Sequence, residues 1–302
     1  MESIKIIVRT VKDSTNESSL LGVSSDTIFT VITTLIIFIL GIVINKQIEA
    51  NKEKRRLIEL EEYFIKLIEL AQKSVIKQAD GFKDFADKLL VKKEQHFHLL
   101  DVSSFSMEPI KEIDKKDLYA IFIKRKKGLI GIKTELFRKL LANIEYIDDI
   151  KTSNKENFEN FIKKFEAFQY DYSENLKVTS DAYDQMRTHN EKNNIKPQED
   201  LFLLKLDGIR AAWAGLEKDE IDFRDRYIAR EKYIEPVRIL CRESIGDPRA
   251  IPILKHIMES IYAFDNLEEL MKFYSEHYRN KYEGLIKSLT EIESCLKEFK
   301  KM

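Results

Sequence analysis

Hydrophobic and polar positions divide the chain near its N-terminus, where residues 27–44 form 18 consecutive positions without a charge. A helix crosses the hydrocarbon core of a bilayer with roughly 17 to 25 apolar residues. Five basic residues follow within 12 positions of Ile44, whereas residues 13–26 contain no Lys or Arg. Positive charge favours the cytoplasmic side of a membrane helix. The pattern therefore predicts an extracytoplasmic tail over residues 1–26, a transmembrane helix over 27–45 and a cytoplasmic C-terminal part.

A cleaved signal peptide is the alternative interpretation of this apolar segment. Signal peptides carry an apolar region of roughly 7 to 15 residues, and small residues mark the cleavage site. Here the apolar run is longer, 26 residues precede it, and residues 45–52 lead into a charged stretch without a small-x-small site. A retained anchor is the prediction.

Two blocks of apolar residues with alternating three- and four-residue spacing follow the anchor. The first block is Leu57, Leu60, Phe64, Leu67 and Ala71, and the second is Val75, Ala79, Phe82, Ala86 and Leu89. Two short coiled-coil blocks joined by a stutter have this pattern, and so does a long amphipathic helix packed on its own domain. We expect a helical neck over residues 46–92, with both alternatives open.

Helical spacing of apolar residues resumes after a loop-like stretch at 95–109 and continues to the C-terminus. Asp114 is placed to cap a helix that ends at the basic run before Gly128. Three longer apolar stripes follow: Leu136, Leu140, Ile144 and Ile147; Phe158, Phe161, Phe165, Phe168 and Tyr172; and Leu203, Leu206, Ile209, Trp213, Leu216, Phe223 and Tyr227. The stripes predict several separate helices.

Polar and Pro-containing segments predict the breaks between these helices. Residues 152–154 and 193–197 separate the stripes, and a helix is expected to begin near Gln198. The turn at 246–248 places Asp247 as an N-cap and Pro248 as the first helical residue. The last helix is expected from about Leu267 to Phe299. Residues 93–302 are therefore predicted to form a cytoplasmic helical bundle.

Composition agrees with an all-α class. The chain is 43% apolar and 34% charged, with 9 Gly and 5 Pro in 302 residues and a net charge of −1. This composition is that of a foldable protein rich in helix-forming residues. The near-zero net charge gives no sign of general binding to nucleic acid or to an acidic membrane. A cytoplasmic location predicts that Cys241 and Cys295 are ordinary thiols.

No strand-linked phosphate loop, nucleophile elbow or kinase signature occurs in the sequence. His96 and His98 share one face if the segment is a strand, and Glu94 or Asp101 could join them at a metal. Without a further Cys or His pair, ring packing within a loop is the preferred interpretation. We expect no enzyme activity, metal or other cofactor.

Arg249 and His256 have the Arg-x6-His spacing found in HEPN-type ribonucleases, which are also helical bundles. This similarity covers eight residues and implies an RNA-cleaving pair. The chain departs from the family in two places, because Ala250 stands where a polar residue commonly follows the Arg and Pro252 lies inside the motif.

The densest basic run is Lys124, Arg125, Lys126 and Lys127 at a predicted helix end. Such a run complements the helix dipole, and it is also a candidate site for a phosphate-bearing ligand or lipid headgroups. Tyr274, Tyr278 and Tyr282 form an aromatic face on the last helix, with basic residues among them. That face suits either stacking on bases or packing inside the protein.

Six residues form a stripe within the apolar segment. At about 100° per residue, they lie within about 80° of one another. The six are Thr27, Thr30, Thr34, Phe38, Gly41 and Asn45. This polar stripe predicts helix–helix packing through small residues and hydroxyls, or a hydroxyl-lined pore that Phe38 closes by dewetting. Both interpretations require a homo-oligomer.

The overall plan combines a small outer tail, one Thr-rich span, a charged neck and a sensor-sized helical domain. It resembles single-pass membrane effectors of bacterial anti-phage systems such as CBASS and Hailong. The resemblance implies a location in the bacterial inner membrane and control by a nucleotide or oligonucleotide signal, or by a partner such as a nucleotidyltransferase. The chain would then open the bilayer. A membrane-tethered scaffold with an inert anchor is the alternative, and a HEPN-like ribonuclease is the third.

Overall fold

A computed structural model describes residues 25–92, 97–100, 107–215 and 225–302. Within these ranges the structure contains helices, turns and loops but no strand, which confirms the predicted all-α class. The α-helices are α1 (Ser25–Leu89), α2 (Glu108–Lys111), α3 (Lys115–Tyr119), α4 (Ile130–Lys192), α5 (Leu201–Gly215), α6 (Arg226–Ala229), α7 (Glu235–Glu243) and α8 (Ala250–Lys301). Short π-helical segments, Ala120–Lys124 and Arg230–Ile234, extend α3 and α6, and a 3-10 turn, Pro197–Glu199, precedes α5.

The chain divides into two compact units, residues 1–63 and residues 64–302. In the first unit the described residues belong to α1, and the tail predicted for residues 1–26 lies almost wholly outside the described ranges. The second unit contains the C-terminal part of α1 and every later helix.

The C-terminal part of α1 packs inside the second unit. Phe64, Val75, Ala79 and Phe82 are completely buried there. The hydroxyl of Ser275 in α8 donates to the carbonyl of Ala86 over 2.8 Å. For residues 64–89 of the predicted neck, the structure therefore favours packing of an amphipathic helix on its own domain.

Helices α4 and α8 pack antiparallel along most of their lengths. Ring centroids lie 5.1 Å apart for Phe161 and Tyr274, and 6.3 Å apart for Tyr172 and Phe264. At the other end a Cβ on Gly284 would lie 2.0 Å from the Tyr146 hydroxyl oxygen. A larger residue at this position would require the Tyr146 side chain to move.

Aromatic side chains fill the core between α1, α4 and α8. The Phe85 ring lies at its centre, with centroids at 4.9 to 6.2 Å from four other rings. A further apolar cluster, which includes Leu206, Ile234 and Ile257, joins α5, α7 and the first half of α8. Burial of these apolar surfaces supplies the main favourable free energy of folding.

The predicted breaks at 152–154 and before Leu267 are wrong, because α4 and α8 are continuous there. The Thr152 hydroxyl donates to the Asp148 carbonyl over 3.0 Å, and Ser153 donates to Ile150 over 3.3 Å. Hydroxyls bonded to the preceding turn do not cap a new helix.

Other boundaries match the predictions in part. Asp114 caps α3 by accepting from the Lys116 amide over 2.7 Å, as predicted. The turn at 246–248 is present and Asp247 accepts from the Arg249 amide over 2.9 Å, but α8 begins at Ala250 rather than at Pro248. The expected single helix from Gln198 to Tyr227 is also wrong, since Asp225 caps a new helix at Arg226.

Candidate functional site

The exposed apolar segment of α1 is the most unusual surface of the molecule. Its 18-residue window has a mean hydropathy of 2.8 and none of it is buried within the chain. Ile37 is 64% exposed and Phe38 is 67% exposed. A soluble monomer rarely leaves so large a contiguous apolar surface in water.

Burial distinguishes this segment from the apolar core helix of a soluble protein. Such a helix passes the same test of length and composition but is covered by its own chain. Among the described residues, α1 is the one helix long and apolar enough to cross a membrane. The described part of the chain therefore leaves the segment uncovered.

The polar stripe lies on one exposed face of α1, and the hydroxyls of Thr30 and Thr34 are bonded within the helix. Thr30 donates to the Asp26 carbonyl over 2.7 Å, and Thr34 donates to the Thr30 carbonyl over 2.8 Å. Thr33, which lies off the stripe, donates in the same way to Phe29. These hydroxyl hydrogens need no external partner, so the polarity of the stripe does not by itself demand protein or water.

Gly41 gives the stripe a second property. A Cβ built at this position would meet no atom within 4 Å. The glycine therefore leaves an open notch at which another helix can approach closely.

The predicted basic run forms a turn at the end of α3, and hydrogen bonds hold this turn in place. The buried Lys133 ammonium donates to the Ile123 carbonyl over 2.6 Å and to the Lys126 carbonyl over 3.0 Å. The Lys127 amide donates to the Met302 carbonyl over 3.1 Å. Lys124 lies exposed with its ammonium 5.9 Å from the centroid of the Tyr119 ring. Helix-end carbonyls are thus capped by a lysine that the sequence pattern did not single out.

Arg249 has a structural role in the contacts observed. Its guanidinium makes two hydrogen bonds to Asp200, at 2.6 and 2.8 Å, and two to the Asp247 carboxylate, at 2.7 and 3.0 Å. His256 instead lies with Nδ1 2.9 Å from the Asn175 amide oxygen and 3.3 Å from Glu259. Arg249 therefore ties the start of α5 to the start of α8.

The Arg249 guanidinium holds the pKa of Asp200 well below its ordinary value, and bonds from Asn190 and from the Leu203 amide act in the same direction. A carboxyl with a lowered folded-state pKa stabilises the fold above its unfolded pKa of about 3.9. That contribution is lost progressively as the pH falls through the lower folded-state pKa.

Replacing Asp200 with Asn is expected to lower the free energy of unfolding by about 2 kcal/mol at pH 7, because charge-assisted bonds to a buried carboxylate are removed. The difference from the native chain should shrink as the pH falls below about 4. Denaturant unfolding at several pH values checks this. Asp265→Asn, which removes an exposed pair with Arg230, is the matched control and should cost no more than about 1 kcal/mol. Equal losses at both positions would contradict the structural role of Asp200.

The predicted aromatic face on α8 is largely internal. Tyr278 is completely buried and Tyr274 is 6% exposed, so neither presents a ring for stacking on a base. The Lys83 ammonium lies 5.8 Å from the Tyr282 ring centroid. This arrangement favours packing, the second of the two interpretations.

Sequence reasoning missed a group of buried polar side chains beside this face. The Lys281 ammonium, the Tyr278 hydroxyl and His277 Nε2 have no hydrogen-bond partner among the described residues, nor has the Asn154 amide oxygen. Asn154 lies between Tyr146, opposite Gly284, and Phe161, opposite Tyr274. In an antiparallel pair it therefore lies level with the other three residues.

The structure also bears on the metal and thiol predictions. His98 is exposed, while His96, Glu94 and Asp101 lie outside the described residues. No group of three or more His, Cys, Asp or Glu side chains within the described ranges is placed to hold a metal ion. Cys241 and Cys295 are free and buried, as predicted, and burial raises the pKa of the Cys241 thiol to about 11.

Comparison with known proteins identifies no relative, since no family model, curated protein or solved structure matches the chain. The observations define its class instead. The chain is an all-α protein with one exposed apolar helix segment near the N-terminus that is long enough to cross a membrane.

Proposed function

We propose that this protein is a single-pass membrane effector with a cytoplasmic helical bundle. The observation that carries the proposal is that none of the apolar segment is buried, whereas the described residues of the remaining apolar stripes are buried or half-buried. A bilayer removes that segment from water without requiring a second protein. Charge asymmetry orients it in the bacterial inner membrane, with residues 1–26 outside and residues 64–302 in the cytoplasm.

Continuity of α1 suggests how the bundle acts on the membrane. The helix runs without a break from Ser25 to Leu89, and its C-terminal part is buried against α8. A signal that rearranges α8 would therefore act on the same helix that enters the bilayer. The signal must bind the resting and active assemblies with different affinity, since equal binding shifts no equilibrium.

Self-association through the polar stripe completes the proposed mechanism. The Gly41 notch permits close helix contact, and the threonine oxygens retain lone pairs that accept hydrogen bonds or line water. In a homo-oligomer the stripe would face inward, with Phe38 as the closing ring. By its resemblance to CBASS- and Hailong-like effectors, we assign this opening to anti-phage defence, triggered by a nucleotide signal or by a partner protein such as a nucleotidyltransferase.

Substitutions on and off the stripe test the gate. Thr34→Leu and Phe38→Ala are expected to change dye leakage from proteoliposomes and toxicity in cells, because one dries the proposed lumen and the other opens its constriction. The matched controls are Thr33→Leu and Phe29→Ala, which lie about 100° and about 180° around the helix from the test positions. The controls should behave like the native chain.

A tethered scaffold is the second candidate, and the internal bonding of the threonine hydroxyls favours it. Hydroxyls satisfied by their own helix allow the stripe to face lipid as an inert anchor. Leakage unchanged by all four variants, together with full function after an unrelated anchor is swapped in, would establish the scaffold instead.

A HEPN-like ribonuclease ranks third, since carboxylates occupy the Arg249 guanidinium. His256→Ala tests it through RNA cleavage. Cleavage by the native chain that is lost in the variant would favour the ribonuclease, while cleavage equal in both would exclude the pair.

A further inference from the structure

The turn before α4 and the first turn of α4 present aliphatic side chains to solvent beside the basic run. Leu129 is 73% exposed, Ile130 is 66% exposed and Ile132 is 52% exposed. Residues 124–132 are named here the basic–apolar loop. Three large aliphatic residues so close together in sequence form more than the isolated exposed residue that is normal on a soluble surface.

The backbone of this loop is held in place. Gly128 has φ +119°, which side chains larger than hydrogen rarely permit. The two Lys133 hydrogen bonds and the bond from Lys127 to Met302 fix the turn from both sides. The aliphatic side chains are therefore presented outward by a pinned turn.

Positive charge surrounds the aliphatic group. Lys124 and Lys127 are exposed within the loop, and Lys300 and Lys301 are exposed at the end of α8, where Met302 Sδ lies 3.8 Å from a Cβ built on Gly128. The nearby Glu298 pairs with Lys301. Positive charge therefore predominates next to the aliphatic residues.

We propose that the basic–apolar loop docks on an anionic bilayer surface, with its aliphatic side chains in the interface and its lysines at the lipid headgroups. Neither component of the loop alone selects this partner. A free phosphate makes no favourable contact with three aliphatic side chains, and the same is true of the phosphates of a nucleotide. Single-stranded nucleic acid is bound through aromatic stacking. A lipid surface uses both the charge and the apolar group.

The covalent link between the loop and the apolar segment strengthens this assignment. This part of the argument rests on the proposed function, because it takes the apolar segment to be in a bilayer. Once the apolar segment of the same chain is in a bilayer, docking of the loop on that bilayer is intramolecular. A polybasic patch adds to a hydrophobic anchor in this way.

A polarity-sensitive fluorophore on Ile130→Cys tests the docking in the full chain, reconstituted in phosphatidylglycerol or in pure phosphatidylcholine vesicles. The expected result is a blue-shifted emission, quenched by brominated lipid, in the anionic vesicles and weakened by salt. The matched site is Ile245→Cys, which has 64% exposure in the 246–248 turn region and should remain water-like in both vesicles.

Charge variants establish that the lysines drive the docking. Each lysine near an anionic surface contributes about a fivefold factor, so Lys124→Gln with Lys127→Gln should lower the docked-to-free ratio by about 25-fold. Lys272→Gln with Lys287→Gln, exposed lysines elsewhere on α8, should leave the ratio unchanged.

Two outcomes would overturn the assignment. In the first, the chain resists carbonate extraction, as an inserted protein does, but the emission of the Ile130 probe remains water-like in anionic vesicles. This result would contradict the docking and would agree with the proposed anchor. The other is an equal emission shift produced by inorganic phosphate or a short RNA in phosphatidylcholine vesicles, which would assign the loop to a phosphate or nucleic-acid ligand. A chain extracted by carbonate sinks the proposed anchor instead, and with it the intramolecular docking.

Discussion

Two arginines in the apolar segment, Ile36→Arg with Ile39→Arg, are expected to release the protein from the membrane fraction. Both isoleucines are about half exposed on α1 and lie off the polar stripe. An arginine at the centre of a membrane helix costs about 2.5 to 3.5 kcal/mol on insertion scales, so the pair costs about 5 to 7 kcal/mol. That loss exceeds a factor of about 1,000 in the insertion equilibrium.

Carbonate extraction of membranes measures this effect. The native chain should stay with the pellet, and the double variant should appear in the supernatant or in aggregates. Ile245→Arg with Ile251→Arg places the same charges on isoleucines that are 64% and 57% exposed in the second unit. This control should remain in the pellet. A double-arginine chain that still resists extraction would show that the segment is covered by protein rather than by lipid.

The apolar segment could be predicted from sequence because its physical signal is local. An unbroken run of uncharged residues is enough to predict a helix and a lipid environment for it. The positions of the stripe residues then follow from the helical period. The state of its threonines did not follow. The sequence is the same whether a threonine hydroxyl donates to its own helix or has no partner there, and only the structure distinguishes the two cases.

The neck shows what periodicity leaves undetermined. Alternating three- and four-residue spacing specifies an apolar face but not whether that face meets another copy or the same chain. Burial of Phe64 and Phe82 against later helices answers this for residues 64–89. The answer depends on contacts about 200 residues apart in sequence, such as that between Ser275 and Ala86.

The predicted breaks in the long helices were wrong for a related reason. Residues 152–154 have the types that cap helices, but the same hydroxyls can bond to the preceding turn. The long antiparallel contact between α4 and α8 favours the continuous form, and a local pattern contains no information about it. The partners of Arg249 were hidden in the same way, since Asp200 lies 49 positions away.

Lys281 provides the second large effect, an expected gain of stability when its charge is removed. The side chain is 7% exposed, and its ammonium has no hydrogen-bond partner among the described residues. It lies 5.6 Å from the Phe82 ring centroid and 5.2 Å from that of Tyr278. Those rings offset only part of the cost of taking an ammonium out of water.

Burial lowers the pKa of Lys281 from 10.5 to about 8. Below pH 8 the lysine is charged in both the folded and unfolded states, so the full penalty is present. Between pH 8 and 10.5 the folded chain loses this proton first, and the penalty falls as the pH rises. A shift of 2.5 pKa units corresponds to about 3 kcal/mol.

Lys281→Met is therefore expected to raise the free energy of unfolding by about 2 to 3 kcal/mol at pH 7, because the buried charge is removed. The gain over the native chain should decline as the pH rises from 8 to 10.5 and should be lost above that range. Using the difference between the two chains cancels tyrosine and cysteine titration. Denaturant unfolding in detergent micelles, followed by the fluorescence of Trp213, the single tryptophan, measures it.

Lys287→Met on the same helix is the matched control, because Lys287 is exposed and should change stability by no more than about 0.5 kcal/mol. Next to Lys281, burial and the lysine charge lower the pKa of His277. Removing that charge should therefore move the His277 titration upward in an NMR experiment. A native chain that is more stable than Lys281→Met at pH 7 would mean that the ammonium has a partner which offsets its burial. A gain in stability together with the His277 shift would instead establish that the fold keeps a costly buried charge at the packed contact between α1 and α8. In the proposed mechanism, this is the contact through which a signal acts on the membrane helix.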